Sequence, residues 1–371
     1  MIYLDHNATT PIDDRVLEAM LPFLKTFYGN PSSLYRLGRA AKSAVDAARE
    51  QLAALIGVQP GQIIFTSGGT EANNLALATL APQAGLAVSS IEHPSVIEPA
   101  LYLQSLGHQL TLLKVDANGR ITQNAIDEVI RLKPGLVSIM LANNETGAMQ
   151  NIAHYADQLT AQGIKVHTDA VQALGKIPVD FNRLGVDLMS LSSHKIYGPK
   201  GCGALVYDKS VAIKPVLLGG GQEQGLRAGT ENVAAIVGFG KAAELAKTEL
   251  AERQAHLLKL KNLLELELNA IPCWTVFAEQ AERLPNTVQM GVHGVDGEML
   301  LMQLDQKGIA VSSGSACASG SGEPSHVLLG MGLPREIAYR AVRVSLGPGN
   351  TDAEIDRFLS ELSALRLQAA A

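Results

Sequence analysis

Aromatic residues are scarce in this chain: Phe, Tyr and Trp make up 4% of its 371 residues, with a single tryptophan. Cysteine is scarcer still. Cys202, Cys273 and Cys317 are odd in number and show no paired spacing. That excludes a disulfide framework and a cysteine-built zinc site, and it fits a reducing, cytoplasmic setting. No apolar run reaches the roughly 18 residues that a membrane span needs, so no membrane partner is expected. The start, Met1-Ile2-Tyr3-Leu4-Asp5-His6, has no basic stretch leading into an apolar one, so no signal peptide is expected. Lys and Arg form no concentrated run and the net charge is −6, which argues against direct nucleic-acid binding. Hydrophobic residues reach 47%, and 35 glycines are present. This balance suits an α/β enzyme with aliphatic parallel strands and many tight turns. The length suggests about two domains.

Between about residue 36 and residue 245 helical and strand-like patterns alternate. Helical periodicity over Arg39–Ile56 ends at Gly57, and Gln62–Thr66 breaks at Ser67-Gly68-Gly69 before a helix over Thr70–Leu80. Short apolar runs follow at Leu86–Ser90, Gln109–Val115, Leu136–Leu141, Ile164–Thr168, Val186–Ser190 and Gly203–Tyr207. Such alternation predicts a mostly parallel sheet flanked by helices. The charged amphipathic stretch Val237–Asn269 reads as one or two helices leaving the large domain. Thr287–Gly291 and Gly308–Ser312 read as strands, and Asp352–Leu367 as a closing helix, so the C-terminal third forms a smaller α+β domain. The expected division is a segment 1–13 packing with the small domain, a large domain 14–255, and a small domain 256–371.

Two segments carry the chemistry. Lys195 sits in Ser192-Ser193-His194-Lys195-Ile196-Tyr197-Gly198-Pro199-Lys200-Gly201, after a strand-like run, and Asp169 follows another such run in His167-Thr168-Asp169-Ala170-Val171-Gln172. A lysine able to form a Schiff base, with a carboxylate that holds a pyridinium nitrogen protonated, is what pyridoxal 5′-phosphate requires. The turn Thr66-Ser67-Gly68-Gly69-Thr70-Glu71 places Gly69 and Thr70 at a helix N-terminus. There free N–H groups and the dipole favour phosphate; a plain capped helix start is the alternative. Ser192 and His194 lie close enough in sequence to reach the same phosphate. Gln172 either bonds a ring hydroxyl or faces solvent, and Asn144 either contacts the ring or stabilises a turn. His93, after Leu86–Ser90, is either structural or a proton carrier with a pKa near working pH. Arg343, on the alternating Arg340–Ser345 segment, suits a substrate carboxylate or an interdomain ion pair. Cys317 lies in the Gly/Ser-rich run Val311–Pro324, whose composition predicts a mobile loop able to carry a thiolate to a substrate; Cys202 and Cys273 read as structural.

Eight segments taken together resemble one family: Leu4–Thr10 (LDHNATT), Gly29–Ser33 (GNPSS), Ser67–Glu71, Glu92-His93, Asn143–Glu145, His194–Gly201, Arg227–Thr230 and Ser312–Cys317. Their order and content resemble the pyridoxal-phosphate-dependent cysteine desulfurases of the class V aminotransferase group. The resemblance implies the type I fold of such transferases, with a mostly parallel seven-stranded sheet and a smaller α+β domain. It implies that Lys195 carries the cofactor, Asp169 faces the pyridine nitrogen, Gln172 the ring hydroxyl, and His93 the ring face. Thr70, Ser192 and His194 hold the phosphate, joined by Thr230 from the partner of a homodimer. Asn30, Asn144 and Arg343 orient the L-cysteine substrate, and Cys317 takes the sulfur as a persulfide. It then passes the sulfur to a protein acceptor such as an iron–sulfur scaffold or a sulfur carrier. The loop resembles the longer-loop subgroup. Many housekeeping members continue into a C-terminal tail that docks the scaffold, whereas this sequence ends at Ala371, which argues against docking in that manner. The second reading is a selenocysteine lyase, or another β-lyase or aminotransferase of the same fold. Cys317 separates the two, because simple transamination needs no thiol.

Overall fold

The protein is described by a computed structural model covering residues 1–271, 274–292, 296–313 and 323–369. Strands in chain order are β1 (Ile2–Tyr3), β2 (Ile63–Thr66), β3 (Leu86–Ser89), β4 (Leu110–Leu113), β5 (Leu136–Ser138), β6 (Lys165–Asp169) and β7 (Leu188–Ser192). They continue with β8 (Gly203–Tyr207), β9 (Trp274–Val276), β10 (Thr287–Val292), β11 (Ile309–Ala310), β12 (Ser312–Ser313) and β13 (Ala341–Ser345). Seven of them form the central sheet in the order β2-β8-β7-β6-β5-β3-β4. Only β8 runs against its neighbours, so the expected mainly parallel seven-stranded α/β fold is present.

Period-two alternation explains why this sheet sits in the middle. Ile63, Phe65, Val137, Met189, Leu191, Ala204 and Val206 face one apolar cluster, together with helix residues such as Leu52 and Phe239. Ile64, Leu86, Val88, Leu136, Leu188 and Leu205 face another, against Leu75 and Val96. Because successive side chains point to opposite faces, strands this uniformly apolar can be buried only between two helical layers. The helix Arg36–Ile56 ends where expected. Gly57 takes φ +74° and its N–H returns to Ala53 O, a left-handed cap that an L side chain resists.

The second sheet, β12-β13-β10-β9, is antiparallel and closes over the helices Leu250–Ala270 and Asp352–Ala369, with Leu260, Leu264, Val344 and Phe358 in its core. Chain segment 1–10 lies along both sheets. β1 pairs with β11, Leu4 enters the second core, and Thr10 N donates to His194 O at 3.1 Å.

Val237–Asn269, read as one or two helices, is two, Val233–Thr248 and Leu250–Ala270, broken at Glu249, which accepts hydrogen bonds from both Arg15 and Arg253. Two local expectations need adjustment. Gly308–Ser312 is two strands rather than one: β11 pairs with β1 and β12 pairs with β13, so the chain changes partner at Val311. The run read as Val186–Ser190 is shifted to Leu188–Ser192, which makes Ser192 a strand residue. Among the described residues no helix is long and apolar enough to cross a membrane.

At the middle of β6, His167 is fully buried between Ser138 Oγ (2.8 Å from Nδ1) and Ser190 Oγ (2.9 Å from Nε2). Burial pushes its pKa down to about 3. The unfolded chain takes up this proton near pH 6.5 and the folded chain does not, so stability is lost as the pH falls from 6.5 toward 3. At pH 5 one such group costs about 2 kcal/mol relative to pH 7. Urea midpoints of wild type and His167→Gln at the two pH values measure this: the variant is expected to lose less stability on acidification, and equal losses would assign the acid sensitivity to other groups.

Candidate active site

The strand order reverses between β3 and β5, and at such switch points open α/β sheets leave a crevice beyond the carboxyl ends of their strands. A cleft of about 250 Å³ lies there. Its walls bring together Gly69, Thr70, His93, Asn144, Asp169, Gln172, Ser192, His194 and Lys195, all singled out from the sequence, with Ala8, Asn73, Ser95, Met140 and Val171 beside them. Thr230 and Asn30 do not line it. Both are exposed, and Asn30 Oδ1 accepts from Ser32 N within its own turn. Cys317 and Cys273 lie outside the described residues. Cys202 is buried in the apolar core, and burial raises its thiol pKa far above the usual value.

Each wall follows from a strand end. Beyond β2 the chain turns at Ser67-Gly68, and the helix Gly69–Leu77 begins with its N-terminus at the cleft. This turn lies against β8 at Gly203, where a Cβ would stand 2.5 Å from Gly68 C, so only glycine admits the approach. Ser67 N donates to Glu71 Oε2 (2.7 Å), and Arg227 grips the same carboxylate at 2.9 Å, which fastens the 226–230 segment to the helix start. Beyond β7 the chain makes a turn of 3-10 helix, Ser193–Lys195. Tyr197 follows at φ +70°, an unfavourable angle for a tyrosine held by Tyr197 N donating to Thr10 Oγ1 (3.0 Å) and Asp13 N donating to Tyr197 O (3.0 Å). Lys195 Nζ then donates to Asn7 O (2.5 Å) and Ala8 O (2.7 Å).

Asp169 ends β6. Its Oδ2 accepts from Asn73 Nδ2 (2.7 Å) and its Oδ1 from Val171 N (2.9 Å). Below it Glu92 is fully buried, with Oε1 accepting from Met140 N at 2.5 Å. Burial, reinforced by the Asp169 charge, holds its pKa well above the carboxylate range. Of the two carboxyl groups, Asp169 is the one that lines the cleft. Burial also lowers the pKa of His93, partly offset by Asp169 and deepened by Lys195 and His326. Ser95 N donates to His93 Nδ1 at 3.1 Å, a pattern that assigns the proton of the neutral ring to Nε2. His194 is pushed down to about 4 by burial and then by Lys195 and Lys200.

Three buried polar atoms of the lining, Asn73 Oδ1, Asn144 Oδ1 and Ser192 Oγ, have no partner among the described residues. Buried polar groups are nearly always satisfied, so these three point to a polar ligand in the cleft. Arg343 stands one residue behind the wall. It is fully buried, its Nη2 donates to Asp5 Oδ1 (2.6 Å), its Nη1 donates to Asn144 O (3.1 Å), and its Nε has no partner among the described residues. Sequence reasoning missed Asn73 and Ser95, which orient Asp169 and His93. The signal for Asn73 was its position four residues after Gly69, on the same helix face. It also assigned no role to Asn7 or Lys176.

Residues 2–358 match the model of the class-V aminotransferase family. Cysteine desulfurase IscS of Methanosarcina thermophila is 44% identical over 363 residues, covering 96% of this chain and 90% of the relative. Its namesake from Dictyoglomus turgidum is 42% identical over 370 residues, with 98% and 94% covered. The crystal structure of a NifS-like protein from Rickettsia africae superimposes with a TM-score of 0.91 at 35% identity, covering 99% of both chains. With the family model matched from end to end of the fold and relatives of this identity over nearly the whole length, the chain belongs to the class-V aminotransferase family, among its cysteine desulfurases.

Proposed function

We propose that the cleft binds pyridoxal 5′-phosphate and that the protein converts L-cysteine to L-alanine while Cys317 takes up the sulfur. The observation that carries the reading is the meeting of Lys195, Asp169 and the N-terminus of helix Gly69–Leu77 in one cleft that holds three unsatisfied polar atoms. These residues fit the cofactor. Lys195 offers the amine that attaches it, the Asp169 carboxylate suits a protonated ring nitrogen, and Gln172 suits the ring oxygen. The free N–H groups at Gly69 and Thr70, with the Thr70 and Ser192 hydroxyls and His194, suit the phosphate. When bound, the cofactor supplies an electron sink for charge developing on the substrate carbon.

The chain's own groups do the rest. Lys195 Nζ, released from the Asn7 and Ala8 carbonyls, is the base for the Cα proton, and neutral His93 relays a proton at Nε2. Asn144 at the cleft, with Arg343 behind it, orients the substrate carboxylate. The Cys317 thiolate attacks the substrate sulfur, so an S–S bond forms as the Cβ–S bond breaks and the carbon keeps the electron pair and gains a proton. One L-cysteine and one thiol give one L-alanine and one persulfide, and the persulfide sulfur then passes to a protein acceptor. In this reading residues 14–255 hold the cofactor and residues 256–371 carry Cys317, with the 1–13 segment joining them. Thr230 completes the phosphate site of a second copy in a homodimer. Its exposure, and the exposed Tyr28, Leu34, Tyr35 and Leu218, support such a partner surface.

Purified protein loaded with the cofactor is expected to release alanine and sulfide in equal amounts from L-cysteine when reductant is present. Pyruvate and ammonia in place of alanine would overturn the reading in favour of β-elimination. Cys317→Ala is expected to keep the yellow colour and bind cysteine yet form no persulfide; normal sulfide release by that variant would remove Cys317 from the reaction. Lys195→Ala is expected to lower turnover by roughly a thousandfold or more, as loss of a covalent and acid–base group does; sustained turnover in a steady-state assay would remove Lys195 from its role.

A further inference from the structure

Lys176 is a buried amine that the mechanism above does not use. It follows the turn after β6 and is almost wholly enclosed, and among the described residues no carboxylate lies within ion-pair distance of it. Its Nζ donates to Gln172 Oε1 at 2.7 Å and to Asn7 Oδ1 at 2.8 Å. An amine in such a place costs several kcal/mol of desolvation unless its contacts are needed, so its partners indicate its purpose. Both partners are primary amides, whose oxygen and nitrogen ends are nearly the same shape. An amine that donates to the amide oxygen decides which end points where.

At Gln172 the amine claims the oxygen, so the Nε2 group turns toward Asn7 O, to which it donates at 3.0 Å, leaving its second N–H as the end offered to the cleft that Gln172 lines. At Asn7 the amine claims Oδ1 together with Asn286 Nδ2 (3.1 Å). Asn7 Nδ2 is thereby sent to Asn144 O (3.2 Å) and Thr287 Oγ1 (2.9 Å). The same Asn7 carbonyl receives Lys195 Nζ. One lysine thus sets the direction of both amides, one in the cleft wall and one beneath Lys195.

We propose that Lys176 is a positioning residue which, by holding Gln172 with its N–H end toward the cleft, makes Gln172 a donor to the ring oxygen of pyridoxal phosphate. This rests on the cofactor reading above. Asn7 O favours the same orientation by accepting from Gln172 Nε2, and Lys176 enforces it from the oxygen end; the flipped orientation would set acceptor against acceptor at Asn7 and donor against donor at Lys176. Arg343 and Lys195 are the other cations of this cluster, and neither is within hydrogen-bonding reach of Gln172 Oε1.

The test is a binding titration of apoprotein with pyridoxal phosphate, with the visible absorption and circular dichroism of the loaded protein and its melting temperature. Lys176→Met is expected to weaken cofactor binding roughly tenfold, the worth of one hydrogen bond to a charged oxygen, and to shift the visible band. Gln172→Leu is expected to reproduce both changes, and the double variant to add little to either single one. Lys176→Gln, which keeps an N–H donor, is expected to recover part of the affinity, and it serves as the test if the methionine variant does not fold. A melting temperature that drops while affinity and band stay at the wild-type values would overturn the proposal and leave Lys176 a structural residue. Full additivity of the Lys176→Met and Gln172→Leu effects would also overturn it. Failure of the wild-type apoprotein to bind pyridoxal phosphate would instead overturn the cofactor reading itself.

Discussion

Asn7 is the point on which the cleft depends. Its carbonyl accepts from Lys195 and Gln172, its side-chain oxygen from Lys176 and Asn286, its amide donates to Asn144 O and Thr287 Oγ1, and its backbone N–H donates to Ser345 Oγ. Every polar atom of one buried residue is therefore used. Its partners come from the segments after β5 and β6, the Lys195 turn after β7, and the second sheet with the residue before it. A buried network of this kind is stable only when complete, because each lost partner leaves a desolvated group behind. The N-terminal segment is thus a rigid part of the active site rather than a loose end, and it joins the two sheets where the cleft opens.

Charge is sorted by burial around that hub. Glu92 and Asp169 lie close enough to influence one another. Burial raises the pKa of Glu92, the one without solvent, whereas Asp169 at the cleft is held by Asn73 and Val171. On the other wall burial and the neighbouring lysines keep His194 neutral, and burial lowers the pKa of Lys176 well below that of an exposed amine. In the proposed reading, Asp169 would face a ring nitrogen, and the helix N-terminus with the nearby hydroxyls would face a phosphate. This is the division of labour that the assigned chemistry asks for.

Much of this was legible in the sequence. The aliphatic runs ending in Thr66, Ser89, Asp169 and Ser192 announced strands, and the residues just past them were the ones that reach the cleft. Gly57 marked a helix end and Gly68-Gly69 a turn into a helix. Less legible were the break at Glu249 and the change of partner at Val311, since neither disturbs the local hydrophobic pattern. The ion pair of Arg343 with Asp5 was open in the sequence because its partner is 338 residues away.

By itself, then, the sequence determined the α/β class, the order of its elements, and a set of strand-end residues that line one cleft, because hydrophobic period and turn chemistry act over a few residues. Tertiary structure alone decided that Asn7 lies under Lys195 and Gln172, that Asn73 reaches Asp169 across 96 residues, and that Lys176 is buried against two amides. Such pairings are set by how layers stack and how a terminal segment threads between two sheets. No local propensity encodes them, because amide and amine side chains look equally suited to a solvated turn until packing removes the water.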